Sequence, residues 1–214
     1  MATAANSSTP ADALAEFRAT RARTLATARR LTQAQLDYEP RRGSWSAGEV
    51  LDHMLLAEGT NREQLTRLVG LARAGRRPEL NLSFADVNVS VAYLPRSVLP
   101  ALELPLTLLN MFVPDGVRNY LTRNRLLPFR NPDQATPRRG RPSASLLEDL
   151  DASLRETESL FVNNPGLDYG AMVVRHPLLG RYDAPGLLRF MAAHERRHQS
   201  QLEEIVSGPQ FPRG

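Results

Sequence analysis

The chain has no cysteine, no lysine, a single tryptophan and only four histidines in 214 residues. Without cysteine there is no disulfide scaffold, no Cys-ligated zinc, no iron–sulfur cluster and no thiol nucleophile of the protein's own. Asp, Glu and His are left as the usual side-chain metal ligands. All 27 basic residues are Arg, and against 23 acidic residues they leave a net charge of +4. That surplus is slight for a dedicated nucleic-acid binder. The Arg pairs at 29–30, 41–42, 76–77, 138–139 and 196–197 are scattered and lack aromatic interleaving, so they read as solvated surface. Long hydrophobic runs are missing too: the longest, Ser97 to Val113, is interrupted by Pro100, Glu103 and Pro105. No membrane span is expected. Met1 to Pro10 lacks the basic and apolar regions of a secretory signal, which makes the cytoplasm the expected location.

What the chain does have is 42% hydrophobic and 23% charged residues, enough for one independently folding domain over 1–214. Four stretches carry apolar residues at helical spacing. The first runs from about Ala11 to Leu31, with Ser8 or Thr9 as cap and Pro10 suited to the first helical position. The second starts at Ser46, with Glu49 closing a capping box, and carries Val50, Met54, Ala57, Leu65, Leu68 and Ala72 before stopping ahead of Gly75. The third starts near Ser145, where Glu148 repeats the box, and carries Leu147, Leu150, Leu154 and Phe161 up to Asn163-Asn164-Pro165-Gly166. The fourth is capped by Asp183 or Ala184 and runs through Leu187, Phe190, Met191, His194, His198, Leu202 and Ile205 to Gly208-Pro209. Between the second and third helices, residues 76–142 hold nine of the 16 prolines. Only short helices, around Ser97–Val113 and Val117–Leu127, suit that stretch, and Arg138–Pro142 reads as an exposed linker. No run of alternating strands and no internal repeat is visible. The expectation is an all-α four-helix bundle with a long Pro-rich insertion.

His194 and His198 lie four residues apart, about 40° around a helix, so both rings share one face. That face also carries Leu187, Met191, Leu202 and Ile205, which turns the imidazoles toward the core. An inward imidazole needs a hydrogen-bond partner or a metal. His53 sits likewise on the inward stripe of the second helix, beside Val50 and Met54. Three inward histidines from two helices suffice for a catalytic metal site with an open position. The alternative is that each is a packed core residue with a local hydrogen bond. The pair also matches HExxH, His194-Glu195-Arg196-Arg197-His198, the zinc-protease pattern. The extended form of that pattern places Gly at 201 and His at 204, where this chain has Gln201 and Glu204. Its other form needs a distant downstream carboxylate, and only 16 residues follow His198. The protease reading therefore lacks its third ligand. Helical phase puts Glu195 on the polar face, and His176, before Pro177 in a turn, reads as a structural loop residue.

Ser44-Trp45-Ser46-Ala47-Gly48-Glu49-Val50-Leu51-Asp52-His53 resembles the W-S-x-x-E-x-x-x-H segment of the DinB/YfiT-like proteins. His176-Pro177-Leu178-Leu179-Gly180, followed by a helix with His194-x-x-x-His198-Gln199-x-x-Leu202, resembles their C-terminal segment. The resemblance implies an up-down-down-up four-helix bundle that binds one divalent cation, zinc or nickel, through His53, His194 and His198. It also implies a homodimer, and either an S-transferase using a low-molecular-weight thiol or a metal-dependent hydrolase. Trp45 and Glu49 could support the ligands from behind, although a helix-staple Trp and a capping Glu explain them without function. The long insertion departs from the compact pattern and bears on which substrate is taken. With no Cys in the chain, any sulfur chemistry requires a thiol cosubstrate. The rival expectations are a non-catalytic metal- or ligand-binding bundle and an interaction module built on the Pro-rich insertion.

Overall fold

The computed structural model describes residues 9–83, 86, 90–91, 129–130, 136–176 and 180–213. The elements in order are α1 (Pro10–Ala28), α2 (Gln33–Leu36), α3 (Ala47–Arg73), β1 (Glu79–Asn81), β2 (Ser90–Val91), β3 (Phe129–Arg130), α4 (Ser143–Val162), β4 (Val173–His176), β5 (Gly180–Asp183) and α5 (Ala184–Val206). The protein is mainly helical. The short helices expected around Ser97–Val113 and Val117–Leu127 lie outside the described residues.

Local chemistry explains where the helices start. Thr9 caps α1 and shares a capping box with Asp12, while Pro10 contributes the fixed φ of the first turn. Ser46 and Glu49 form the expected box on α3. On α5 the Asp183 carboxylate accepts from Gly186 N at 2.7 Å. The start of α4 differs from expectation. It begins at Ser143, and no side chain of its own caps it. Instead Gln33 of α2 accepts from Ser143 N at 2.8 Å, so a neighbouring element satisfies one of the free amides. At the other end of the first stretch, α1 stops at Ala28 and the chain turns into α2, which has its own Thr32–Gln35 box.

The four long helices form a closed set of contacts: α1 packs on α5 and α4, and α3 packs on α5 and α4. Two apolar clusters fill the interior. One holds Ala13 and Phe17 of α1, Leu65 and Leu68 of α3, Leu154 and Phe161 of α4, and Leu187, Leu188 and Met191 of α5. The other holds Leu25 and Ala28 of α1, Val50, Leu51 and Met54 of α3, Leu146 and Leu150 of α4, and Leu202 and Ile205 of α5. Each fully buried Leu or Phe contributes about 1.5–3 kcal/mol by area.

Two features depart from the all-α expectation. A three-stranded sheet, ordered β1-β4-β5, covers one end, with β1 parallel to β4 and β4 antiparallel to β5. The register pairs Leu80 with Val174 and Val174 with Tyr182. Its strands are three or four residues long, too short for a period-2 pattern to register. Residues 79–81 are thus stitched to the C-terminal third of the chain. The second feature is a two-stranded sheet in which β2 pairs antiparallel with β3. Arg138–Pro142, moreover, is no free linker. Asp52, wholly buried, accepts from Arg138 N at 2.7 Å and from the Arg141 guanidinium at 2.7 Å. Arg141 also pairs with Asp149, and Arg139 reaches Glu49 at 3.4 Å. Burial alone would push the Asp52 carboxyl up, but the hydrogen bonds from Arg138 and Arg141 outweigh it and hold the group below its ordinary value.

Candidate metal centre

Two helices bring three imidazoles together. His53 projects from the second full turn of α3, and His194 and His198 from successive turns of α5. The ring centroids stand 5.3 Å apart for His53–His194, 4.6 Å for His53–His198 and 4.5 Å for His194–His198. One nitrogen from each ring lies within 4.8 Å of the other two. Three imidazole nitrogens about 2.0–2.1 Å from a tetrahedral ion stand roughly 3.4 Å apart, so modest side-chain rotations close the set. His53 is 3% exposed and His198 6%, whereas His194 is only half-buried. His194 is therefore the most exposed of the three.

The electrostatics suit a cation's ligands. Burial first, then the nearby His198 and His53 rings and the Arg197 charge, push the His194 pKa well below 6.5. A neutral imidazole keeps the lone pair that a metal needs. His198 Nδ1 lies 3.0 Å from Gln201 Oε1. With the ring proton on Nδ1 donated to that oxygen, Nε2 is the nitrogen that would ligate, the usual outer-shell arrangement of a metal-binding His. The Trp45 ring, delivered by the turn before α3, lies 4.9 Å from His53. Glu49, by contrast, caps α3 through Ser46 N at 3.0 Å and pairs with Arg139. Its role in the structure is that cap.

Glu195 is not on the polar face. It is 2% exposed and bonded to Arg21 through both oxygens at 2.9 Å, with Thr24 Oγ1 donating at 2.6 Å. The same guanidinium donates to Glu58 Oε2 at 2.7 Å, and Thr157 of α4 donates to Glu58 Oε1 at 3.0 Å. Arg21 NH1 also bonds the Leu150 carbonyl. One buried Arg thus ties α1 to α3, α4 and α5. Burial would lower the Arg21 pKa, but the flanking Glu195 and Glu58 carboxylates hold it above its ordinary value. Both oxygens of Glu195 are committed to this network, which removes it from any general-base role of the HExxH kind. A signal for the network does exist in the sequence. Arg21 follows Phe17 by four residues, Glu58 follows Met54 by four and Glu195 follows Met191 by four. Each is a charge on a core stripe, and burial of such charges requires mutual pairing. His176 stands at the end of β4, where burial lowers its pKa to about 4. It belongs to the sheet and not to the three-His cluster.

No curated protein and no solved structure matches the chain. A family model described as the DinB superfamily matches residues 16–202. That span covers all four long helices except the first six residues of α1 and the last four of α5, and it includes every imidazole of the cluster, so the chain belongs to the DinB superfamily.

Proposed function

We propose that His53, His194 and His198 hold one divalent cation, zinc or nickel, and that the protein is a metal-dependent enzyme acting on a small molecule. The observation that carries this reading is the convergence of three imidazole nitrogens within 4.8 Å. Three neutral nitrogen donors fit zinc or nickel better than the oxygen-preferring magnesium or calcium. They also leave one position for a substrate. A divalent cation bound there supplies Lewis acidity that lowers the pKa of a coordinated thiol or water toward neutrality.

The chain's own residues set the conditions for that chemistry. His198 is oriented by Gln201, and His53 is backed by the Trp45 ring. The buried Arg21–Glu195 pair fixes the rotation of α5 between its two ligands. With no cysteine, the chain leaves the sulfur role to a low-molecular-weight thiol cosubstrate, giving an S-transferase; water in the same position gives a hydrolase.

The distribution of the two apolar clusters supports an up-down-down-up bundle. The N-terminal halves of α1 and α5 share one cluster with the C-terminal halves of α3 and α4, and the other cluster has the reverse membership. The reading includes a single domain over 1–214 with 76–142 as an insertion, and a homodimer, as the family resemblance implies. No described helix is long and apolar enough to cross a membrane, which is compatible with the cytoplasmic location expected from the sequence.

Metal analysis of protein purified without a chelating column tests the proposal. About one zinc or nickel per chain is expected, with near-complete loss in a His53→Ala variant whose far-UV circular dichroism is unchanged. Metal-free wild-type protein that fails to take up either ion on reconstitution would overturn it.

A further inference from the structure

The imidazole cluster lies within a longer row of rings. Trp45 stands 4.9 Å from His53, His53 5.3 Å from His194, His194 6.3 Å from Phe190, and Phe190 5.5 Å from Tyr182. Phe190 is one helical turn before His194 on α5, and Tyr182 reaches it from β5. Aromatics make up only 6% of the chain, so a run of three non-histidine rings at one ligand set is a local concentration. Their burial also differs from that of the core aromatics. Phe17 and Phe161 are enclosed, whereas Trp45, Phe190, Tyr182 and the His194 ring itself are all half-buried. Tyr38 and Phe211, away from the cluster, are half-buried as well; what sets Phe190 and Tyr182 apart is that they continue the ring row beside His194. Charge adds a second preference. The positive charge of a bound cation favours an anionic donor on the incoming ligand.

We propose that the half-buried rings of Phe190 and Tyr182, continuing the imidazole row at its His194 edge, form a wall that selects ligands with an anionic metal-binding head and a flat, aromatic body. This rests on the metal reading above and adds the class of substrate. A phenyl group laid on the wall buries part of two ring faces, and stacked or edge-to-face geometry adds to the area term. The expected gain is about tenfold in affinity over the same head group carrying a methyl.

The test compares benzohydroxamate with acetohydroxamate, two chelators that share a head and differ in the body. Each is titrated into Co(II)-loaded protein, and binding is followed by the change in the visible absorption of the cobalt. Wild-type protein is expected to bind benzohydroxamate about tenfold more tightly. In Phe190→Ala, and in the more conservative Phe190→Leu, that ratio is expected to fall by threefold or more while cobalt loading and acetohydroxamate affinity stay unchanged. Absence of any cobalt spectrum overturns the metal reading and this inference with it. A cobalt spectrum with equal affinities for the two chelators, or a ratio that both Phe190 variants leave intact, overturns the aromatic wall alone.

Discussion

Replacing Arg21 with Met deletes one charge from the centre of the bundle and keeps most of the volume. The guanidinium is 1% exposed and makes three hydrogen bonds to carboxylates, two to Glu195 at 2.9 Å and one to Glu58 at 2.7 Å. Without it, among the described residues Glu195 keeps Thr24, and Glu58 keeps Thr157 and the more distant Arg62 at 3.7 Å. Breaking a buried pair from one side costs about 3–5 kcal/mol. Two stranded carboxylates do not double that figure, because each takes up a proton once its charge costs more than about 4 kcal/mol near neutral pH. The remaining hydroxyls offset a further part, so Arg21→Met is expected to lose about 4 kcal/mol, a large share of a typical domain's 5–15 kcal/mol. Urea unfolding followed by circular dichroism measures it. The gap from wild type is expected to narrow as pH is lowered from 7 toward 5, because protonation removes the stranded charge. Adding Glu58→Gln and Glu195→Gln is expected to recover about half of the loss. A loss under about 1 kcal/mol, independent of pH, would refute the claim that this network is a buried charge cluster.

Gly186→Ala places a Cβ 2.8 Å from Asp183 Oδ1, so the carboxylate must leave its capping position. The lost cap, about 0.5–2 kcal/mol, offsets the ~0.8–1 kcal/mol that Ala brings over Gly within a helix. Thermal unfolding is therefore expected to show no net stabilisation, and a variant stabilised by about 1 kcal/mol would contradict the cap. Asp52→Asn keeps the shape of the clamp on Arg138 and Arg141 but removes its charge, at an expected cost of about 1–3 kcal/mol. Because the Asp52 carboxyl is held below its ordinary value, its contribution is present above about pH 4 and lost as pH falls below that. The acid limb of the wild-type stability profile is therefore steeper than that of the variant. His176 works through burial: its folded pKa of about 4 lies below 6.5, so the unfolded chain binds the proton more readily. Stability is fully present above about pH 6.5 and falls by up to about 3 kcal/mol toward pH 4. His176→Phe is expected to flatten that limb, and an unchanged pH profile would rule out the buried-neutral assignment.

The four long helices were legible because caps and apolar stripes are local signals: Thr9, Ser46 and Asp183 each announce a helix within four residues. The three histidines were legible for the same reason, since i,i+4 spacing and an apolar stripe fix a face without knowledge of the partner helix. What was not legible depends on distant partners. The β1–β4 pairing joins residues 79–81 to 173–175 across nearly half of the chain. The α4 start is satisfied by Gln33, and the strap at 138–141 is anchored by Asp52. Helical phase alone puts the Glu195 charge on the polar face of its helix. Arg21, packed across from it, reverses that assignment by making burial affordable.

The chain's single tryptophan reports directly on the three-His centre. Trp45 lies 4.9 Å from the His53 ring, close enough for a paramagnetic ion held by the three imidazoles to quench its fluorescence strongly. Titration of the metal-free protein with Ni(II) is predicted to give saturable quenching that ends at one equivalent per chain, reverses with a chelator and disappears in His53→Ala. Fluorescence that does not respond to Ni(II), or that responds equally in His53→Ala, would contradict the three-His centre.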